Sequence, residues 1–224
     1  MANRAAKAAL FDGLVTAAKA LASGRRAEIV DVLAQGERSV EDLAAEIDQS
    51  IANTSQHLQQ LLRAGLVRTR REGNRVYYTL AGSRVAELWA LLRDVAAEHH
   101  AEIERLASAY LGDRSRLQTI TRAELKRRLG KDDVVVLDVR PAEEYEAGHV
   151  AGARSAPIDT VAHRVRELPA DAEIVAYCRG PYCVYADDAV RTLRRRGRSA
   201  VRLEDGYPEW VRAGLPVGVG TETL

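Results

Sequence analysis

The chain is poor in sulfur and in large aromatic residues. Its 224 residues include two cysteines, one methionine, one phenylalanine and two tryptophans. Two cysteines cannot build the multiply bridged framework of a small secreted domain, so a reducing, cytoplasmic setting is expected. No apolar run approaches the length needed to cross a bilayer. No long apolar region follows Met1-Ala2-Asn3-Arg4-Ala5-Ala6-Lys7, so neither a membrane anchor nor a secretory leader is expected. An excess of one charge is also missing: 33 Lys and Arg stand against 32 Asp and Glu, for a net +1. That balance decides nothing about nucleic acid, because binding needs a local basic patch rather than a global surplus. Low-complexity segments and internal repeats are absent, and the length allows two modest domains.

What is present changes character near residues 111–120. Before that point helical periodicity dominates; after it, short β-branched runs alternate with helical stretches. Leu111-Gly112-Asp113-Arg114-Ser115-Arg116 is polar and carries a glycine, so the domains are expected at 1–111 and 121–224, joined by a linker at 112–120. Thr121-Arg122-Ala123-Glu124 reads as a capping box that opens a new helix. In the first part, helices are expected over 4–21, 26–34, 39–47, 50–64 and 83–110, with a hairpin at 67–79 turning on Glu72-Gly73-Asn74. The last helix keeps a heptad-like apolar seam of Val85, Leu88, Leu92, Val95, His99 and Leu106. In the second part, strands are expected at 134–137, 174–177 and 200–203 with helices between them, which predicts a parallel sheet.

Two short helices, a charged hairpin and a long helix make a winged helix-turn-helix. Its recognition helix starts at Ser50 and offers Ile51, Asn53, Ser55, Gln56 and Gln59, with His57 beside them, to base edges. The wing sets Arg68, Arg70, Arg71 and Arg75 against a lone Glu72, a patch suited to phosphates. The stretch 39–80 is similar to the ArsR/SmtB family of bacterial repressors, above all in Ser50-Ile51-Ala52-Asn53-Thr54-Ser55-Gln56-His57-Leu58 and Arg70-Arg71-Glu72-Gly73-Asn74-Arg75-Val76-Tyr77-Tyr78. The resemblance implies a homodimer on the first and last helices that binds a palindromic operator in double-stranded DNA. Many such repressors sense metals through cysteines, but this half has none, so a thiolate metal site or dithiol sensor is excluded there. Glu98, His99, His100 and Glu102 are its one metal-like cluster. His99 and His100 point to different helix faces, so no metal is expected, and no cofactor.

Both cysteines fall in Tyr177-Cys178-Arg179-Gly180-Pro181-Tyr182-Cys183-Val184, after the apolar run Ile174-Val175-Ala176-Tyr177 and before a helical stretch. That is a strand, a tight loop and a helix N-terminus. Unpaired N–H groups and the helix dipole there should lower the pKa of Cys178. Leu137-Asp138-Val139-Arg140-Pro141, Glu144-Tyr145, Gly148-His149-Val150 and Gly152-Ala153, then Gly206-Tyr207, Trp210 and Ala213-Gly214-Leu215-Pro216-Val217, resemble the two signatures of a rhodanese domain. The fold class expected is therefore a mainly α winged helix-turn-helix followed by an α/β rhodanese domain with a parallel sheet.

The resemblance implies that Cys178 attacks the outer sulfur of thiosulfate, a polysulfide or a low-molecular-weight persulfide, giving an enzyme persulfide. The backbone N–H groups of Arg179, Gly180, Pro181's neighbours, Tyr182 and Cys183 would cradle the anion, with Arg179 adding charge at the rim. Asp138 and Arg140 are expected to hold the loop's framework, and Glu144, His149 and Trp210 to be structural. The loop has the six-residue length expected for sulfur, and Val184 stands where longer arsenate-reductase or phosphatase loops end in an arginine. Cys183 would attack a persulfide on Cys178 to give a disulfide or a sulfur-bridged pair; alternatively it is a small buried residue of the helix core. The function expected is a dimeric DNA-binding repressor whose rhodanese domain senses sulfane sulfur or oxidants. The alternative is a sulfurtransferase enzyme whose DNA-binding half answers another signal.

Overall fold

The computed structural model describes residues 3–131 and 133–221. The first two residues of the N-terminal segment, and the last three of the expected 121–224 domain, lie outside the described residues. The fold divides into two compact units between Asp94 and Val95. Among the described residues no helix is long and apolar enough to cross a membrane.

In the first unit the chain runs α1 (Arg4–Leu14), α2 (Thr16–Leu21), α3 (Gly24–Leu33), β1 (Arg38–Ser39), α4 (Val40–Glu46), α5 (Ile51–Arg63), β2 (Val67–Glu72) and β3 (Arg75–Leu80), then enters α6 (Ser83–His99). Helix α4 starts in a capping box: Ser39 Oγ accepts from the Asp42 N–H, and the Asp42 carboxylate accepts from Ser39 N–H. Ser50 caps α5 in the same way, accepting from Asn53 N–H. Gly65 ends α5 at φ 71°, where a side chain would be strained. Leu58 and Leu61 of α5 are fully buried with Ile29, Val30 and Leu43, and Tyr78 of the wing closes the same core. Strands β2 and β3 pair antiparallel from Val67–Leu80 to Glu72–Arg75, with β1 on the other edge of β3.

Two expected helices are each interrupted. The stretch over 4–21 breaks at Val15 (φ −86°, ψ 4°), within Gly13-Leu14-Val15-Thr16, where a glycine and two β-branched residues hold a helix poorly. The stretch over 83–110 breaks at His100 (φ −121°, ψ 98°), which precedes α7 (Ala101–Leu111). Glu102 and Glu104 sit in the first turn of α7, where negative charge favours a fresh N-terminus. The end of α6, α7 and the linker after it cluster with the second unit.

The second unit continues with β4 (Thr119–Ile120), α8 (Arg122–Arg128), β5 (Val134–Asp138), α9 (Ala142–Ala147), β6 (His149–Val150), β7 (Arg154–Ser155), α10 (Val161–Arg164), β8 (Glu173–Tyr177), α11 (Tyr185–Arg195), β9 (Ala200–Leu203), α12 (Tyr207–Arg212) and β10 (Val217–Gly218). Strands β4-β9-β8-β5-β7 form one parallel sheet. Side chains alternate across it: Val135, Leu137, Ile174 and Ala176 meet Ala189, Val190 and Leu193 of α11, while Val136, Val175, Val201 and Leu203 meet Leu125 and Trp210 on the other face. The three long strands lie where apolar runs predict them. The edge strands β4 and β7, two residues each, carry no periodicity that a sequence reading can use. Gly148 caps the end of α9 and His149 begins β6, which pairs with β10.

Candidate functional site

Strand β8 ends at Tyr177 and α11 begins at Tyr185, so the two cysteines lie on the connection at the carboxyl edge of a parallel sheet. Open α/β sheets place their sites at that edge. Cys178, 1% exposed, stands within donating distance of the carbonyl oxygens of Gly180 (3.9 Å) and Cys183 (3.7 Å). Cys183 is half-buried, and the two thiols are within hydrogen-bonding reach of each other. Burial pushes the Cys178 thiol well above its ordinary value, and the neighbouring Cys183 adds to the rise. The hydrogen bond from Cys178 pulls Cys183 below its ordinary value, helped by the N–H groups of Arg179 and Tyr185 and the charge of Arg179. These shifts reverse the expectation of a lowered Cys178: the N–H groups of Ala186 and Gly180 do face its sulfur, but burial outweighs them.

The expected anion cradle is also rearranged. The Cys183 N–H closes a turn onto Gly180 O (3.1 Å), so it does not point at a ligand; the sulfur-facing N–H groups are those of 179, 180, 185 and 186. Pro181 and Tyr182 are half-buried and Gly180 is buried. Arg179 does not stand as a bare charge at the rim. Its Nε and Nη2 grip the fully buried Glu144 carboxylate (3.0 and 2.6 Å), and its guanidinium lies over the Tyr185 ring.

Beneath the loop the framework is ionic. Arg140 and Asp138 are both fully buried; Arg140 Nε donates to Asp138 Oδ1 (2.9 Å) and Nη2 to Gly148 O (2.7 Å), over the Tyr207 ring. Burial would pull the Arg140 guanidinium down, but the Asp138 carboxylate more than restores it. Tyr177 Oη donates to Asp138 Oδ2 (2.5 Å) and accepts from Val150 N–H (3.0 Å). Gly206 is required here: a Cβ would lie 2.2 Å from Gly180 N, and the next residue, Tyr207, donates its N–H to Cys178 O (3.0 Å). His149 stacks on Tyr145, and Trp210 Nε1 donates to Pro216 O (2.8 Å), as structural roles require.

Three charged residues at the site escape a sequence reading. Asp187, fully buried in the first turn of α11, pairs with Arg114 from the linker and with Arg202 of β9, whose Nε lies 3.0 Å from Asp187 Oδ1 without hydrogen-bond alignment. Burial pulls Arg202 below its ordinary value, partly offset by Asp187. Arg114 also donates Nη1 to Pro181 O (2.7 Å) and Nη2 to Cys183 O (3.1 Å). Its partners lie 67 to 73 residues away in sequence, so no local pattern announces them. The Asp187-Asp188 pair at a helix start is the one legible hint, as a complement to the dipole.

In the first unit the expected DNA-facing residues of α5 divide. Ile51, Asn53, Gln56 and Gln59 are exposed, and Ser50 serves as the N-cap. Ser55 and His57 are half-buried, and His57 Nδ1 is enclosed without a hydrogen-bond partner. In the wing Arg68, Arg71 and Arg75 are exposed. Arg70 is held by Glu37 (Nε–Oε2 3.2 Å) as well as Glu72 (2.7 Å), above the Tyr77 ring, so the patch carries one more counter-charge than the hairpin's own sequence suggests. His99 is mostly exposed beside Glu98.

Two families match the chain: the bacterial regulatory proteins of the arsR family over residues 23–69, and the rhodanese-like domain over residues 121–213. The chain is similar to the HTH-type transcriptional regulator Rv0324 of Mycobacterium tuberculosis, with 52% identity over 214 residues that cover 96% of this chain and 94% of that protein. It is also similar to a sulfurtransferase of Allochromatium vinosum, 31% identical over 38% of this chain and 79% of that protein. Among solved structures it is similar to a homodimeric winged helix-turn-helix DNA-binding domain (fragment 1–100) from Mycobacterium bovis, with 48% identity, 46% of this chain and 93% of that one covered, and a TM-score of 0.42.

Proposed function

The chain belongs to the ArsR family of HTH-type transcriptional regulators and carries a rhodanese-like domain, and from that we propose that it is a homodimeric repressor whose operator affinity is set by sulfane sulfur at Cys178 and Cys183. The observation that carries the reading is the cysteine pair itself. The DNA-binding half has no thiol, while the loop holds two in contact, Cys183 half-buried and Cys178 buried.

The chemistry follows from that pairing. The Cys183 thiolate attacks the terminal sulfur of a low-molecular-weight persulfide, RS–SH. A new S–S bond forms on Cys183, the donor S–S bond breaks, and RS⁻ leaves with the electron pair and takes up a proton. Capping Cys183 removes the negative charge that helps hold the proton on Cys178. Cys178 then attacks Cys183 Sγ and expels HS⁻, leaving a Cys178–Cys183 disulfide. With a polysulfide on Cys183, attack one sulfur further out expels HS⁻ and leaves a sulfur bridge. If Cys178 attacks first, as rhodanese chemistry implies, the end products are the same, so the sensing function does not depend on the order.

Dimerisation is supported by apolar residues that a lone chain leaves in water: Leu10, Phe11 and Leu14 on α1, and Leu88, Leu91 and Leu92 on α6. A basic wing and an amide-bearing helix suit phosphates and base edges. Operator binding measured with and without sodium tetrasulfide tests the reading. The parent is expected to change affinity and Cys178→Ser and Cys183→Ser to respond weakly. Steady turnover of thiosulfate by a protein whose DNA affinity ignores tetrasulfide would replace it with the sulfurtransferase reading.

A further inference from the structure

Arg114 belongs to neither the cysteine loop nor the DNA-binding elements, yet its guanidinium is committed entirely to the site. Nη1 holds Pro181 O, Nη2 holds Cys183 O, and Nε holds Asp187, so one planar fork fixes both ends of the loop's second half and the first turn of α11. Five donors in a rigid fork can make that three-point grip; a lysine ammonium, a point charge on a flexible stem, cannot reproduce its directions. The Asp187 side chain is fully buried and that of Arg114 is 22% exposed, so the pair is shielded from the screening that weakens surface ion pairs.

The acceptor that matters is the Cys183 carbonyl oxygen. It lies 3.7 Å from Cys178 Sγ and 3.1 Å from Arg114 Nη2, so the buried Cys178 thiol and the Arg114 guanidinium stand against the same atom. A disulfide or sulfur bridge removes that S–H and draws Cys183 Sγ onto Cys178. The carbonyls of Pro181 and Cys183 belong to the same short turn as the two sulfurs, closed by the Cys183 N–H onto Gly180 O, so a bond between the sulfurs bears on the atoms that Arg114 holds.

Arg114 stands three residues beyond Leu111, the end of α7, after Gly112 at φ 68°. Its flanks are tied to α11 rather than to the loop: Arg191 Nη2 donates to Asp113 O (3.0 Å) and Arg194 Nη1 to Arg116 O (2.8 Å). The linker is therefore tied to α11 and β9 by contacts that ignore the cysteines, and to the cysteine loop through Arg114. We propose that Arg114 is the positioning residue that transmits the sulfur state of the Cys178–Cys183 pair to the segment leading back to the DNA-binding half. The inference rests on the sulfur-sensing reading above and names the side chain through which that sensing leaves the loop.

The test uses the full chain, an operator duplex and sodium tetrasulfide. The treated parent is expected to carry added sulfur or a crosslink at the two cysteines by mass spectrometry and to change operator affinity about tenfold, within the usual range of coupling between sites. Arg114→Gln should take up the same sulfur and leave operator affinity unmoved, and Arg114→Lys, which keeps the charge without the fork, should also fail to transmit. Arg114→Gln responding like the parent overturns the inference, as does Arg114→Gln that no longer takes up sulfur, since Arg114 would then govern reactivity instead. A parent that takes up no sulfur, or takes it up with no change in affinity, overturns the sensing reading and this inference with it. Hydrogen exchange on the parent decides the matter even if the variants do not fold: amides of residues 113–117 should lose protection on tetrasulfide treatment, and unchanged protection overturns the proposal.

Discussion

Arginine does opposite work in the two halves of this chain. In the wing, Arg68, Arg70, Arg71 and Arg75 are exposed, and Arg70 shares itself between two carboxylates that water also reaches. Such pairs are weak and exchange readily, so a phosphate can displace a carboxylate at little cost. Around the cysteine loop, Arg140 and Arg202 are buried, Arg179 and Arg114 nearly so, each facing a buried carboxylate. There a charge without its partner would be costly, so the pairs hold one arrangement. Exposure makes arginine a reader of polyanions; burial makes it a fastener of backbone. The residue type is uninformative until its solvent contact is known.

The contrast predicts unequal mutational effects. Asp138→Ala leaves Arg140 charged and buried and should destabilise the second unit by about 3–5 kcal/mol in urea unfolding. A loss of under about 1 kcal/mol would mean that the Asp138–Arg140 pair is no more than a surface pair in effect.

The cysteines come next in size. Under limiting iodoacetamide the parent should be labelled first at Cys183, with a reactivity midpoint below the ordinary thiol value, because the Cys178 hydrogen bond favours the Cys183 thiolate. Cys178→Ala removes that donor and should move the Cys183 midpoint to higher pH. Labelling that begins at Cys178, or a midpoint that moves down, contradicts the opposite shifts of the two thiols.

The smallest effect belongs to the wing. Arg71→Ala should leave the unfolding midpoint unchanged and make the salt dependence of operator binding shallower, by about 0.9 in the log–log slope for each phosphate contact removed. An unchanged slope would assign Arg71 to solvent rather than to DNA.

Much of this was legible beforehand, and the boundary is physical. The capping box at Ser39 and Asp42, the Ser50 cap and the hairpin around Gly73 rest on interactions between residues close in sequence, and the three long strands show as continuous apolar runs. The breaks at Val15 and His100 were not anticipated, because the apolar pattern runs through both and only backbone dihedrals reveal the interruption. At the site, the spacing of Cys178 and Cys183 located the loop, and Gly206-Tyr207 marked a segment that proves to press against it. The relative acidity of the two thiols was not legible. The loop's N–H groups can be counted in the sequence, but the burial that outweighs them at Cys178 comes from the packed core beneath the loop.

The sequence by itself determined the order of the main helices and long strands, the two families and the confinement of all thiol chemistry to one loop, since periodicity, caps and residue types act over a few positions. The tertiary structure alone decided that burial raises the Cys178 thiol, which arginines are fasteners, and that Arg114 reaches the Cys183 carbonyl. Desolvation and pairing across some seventy residues depend on where the folded chain excludes water, and no local pattern encodes that.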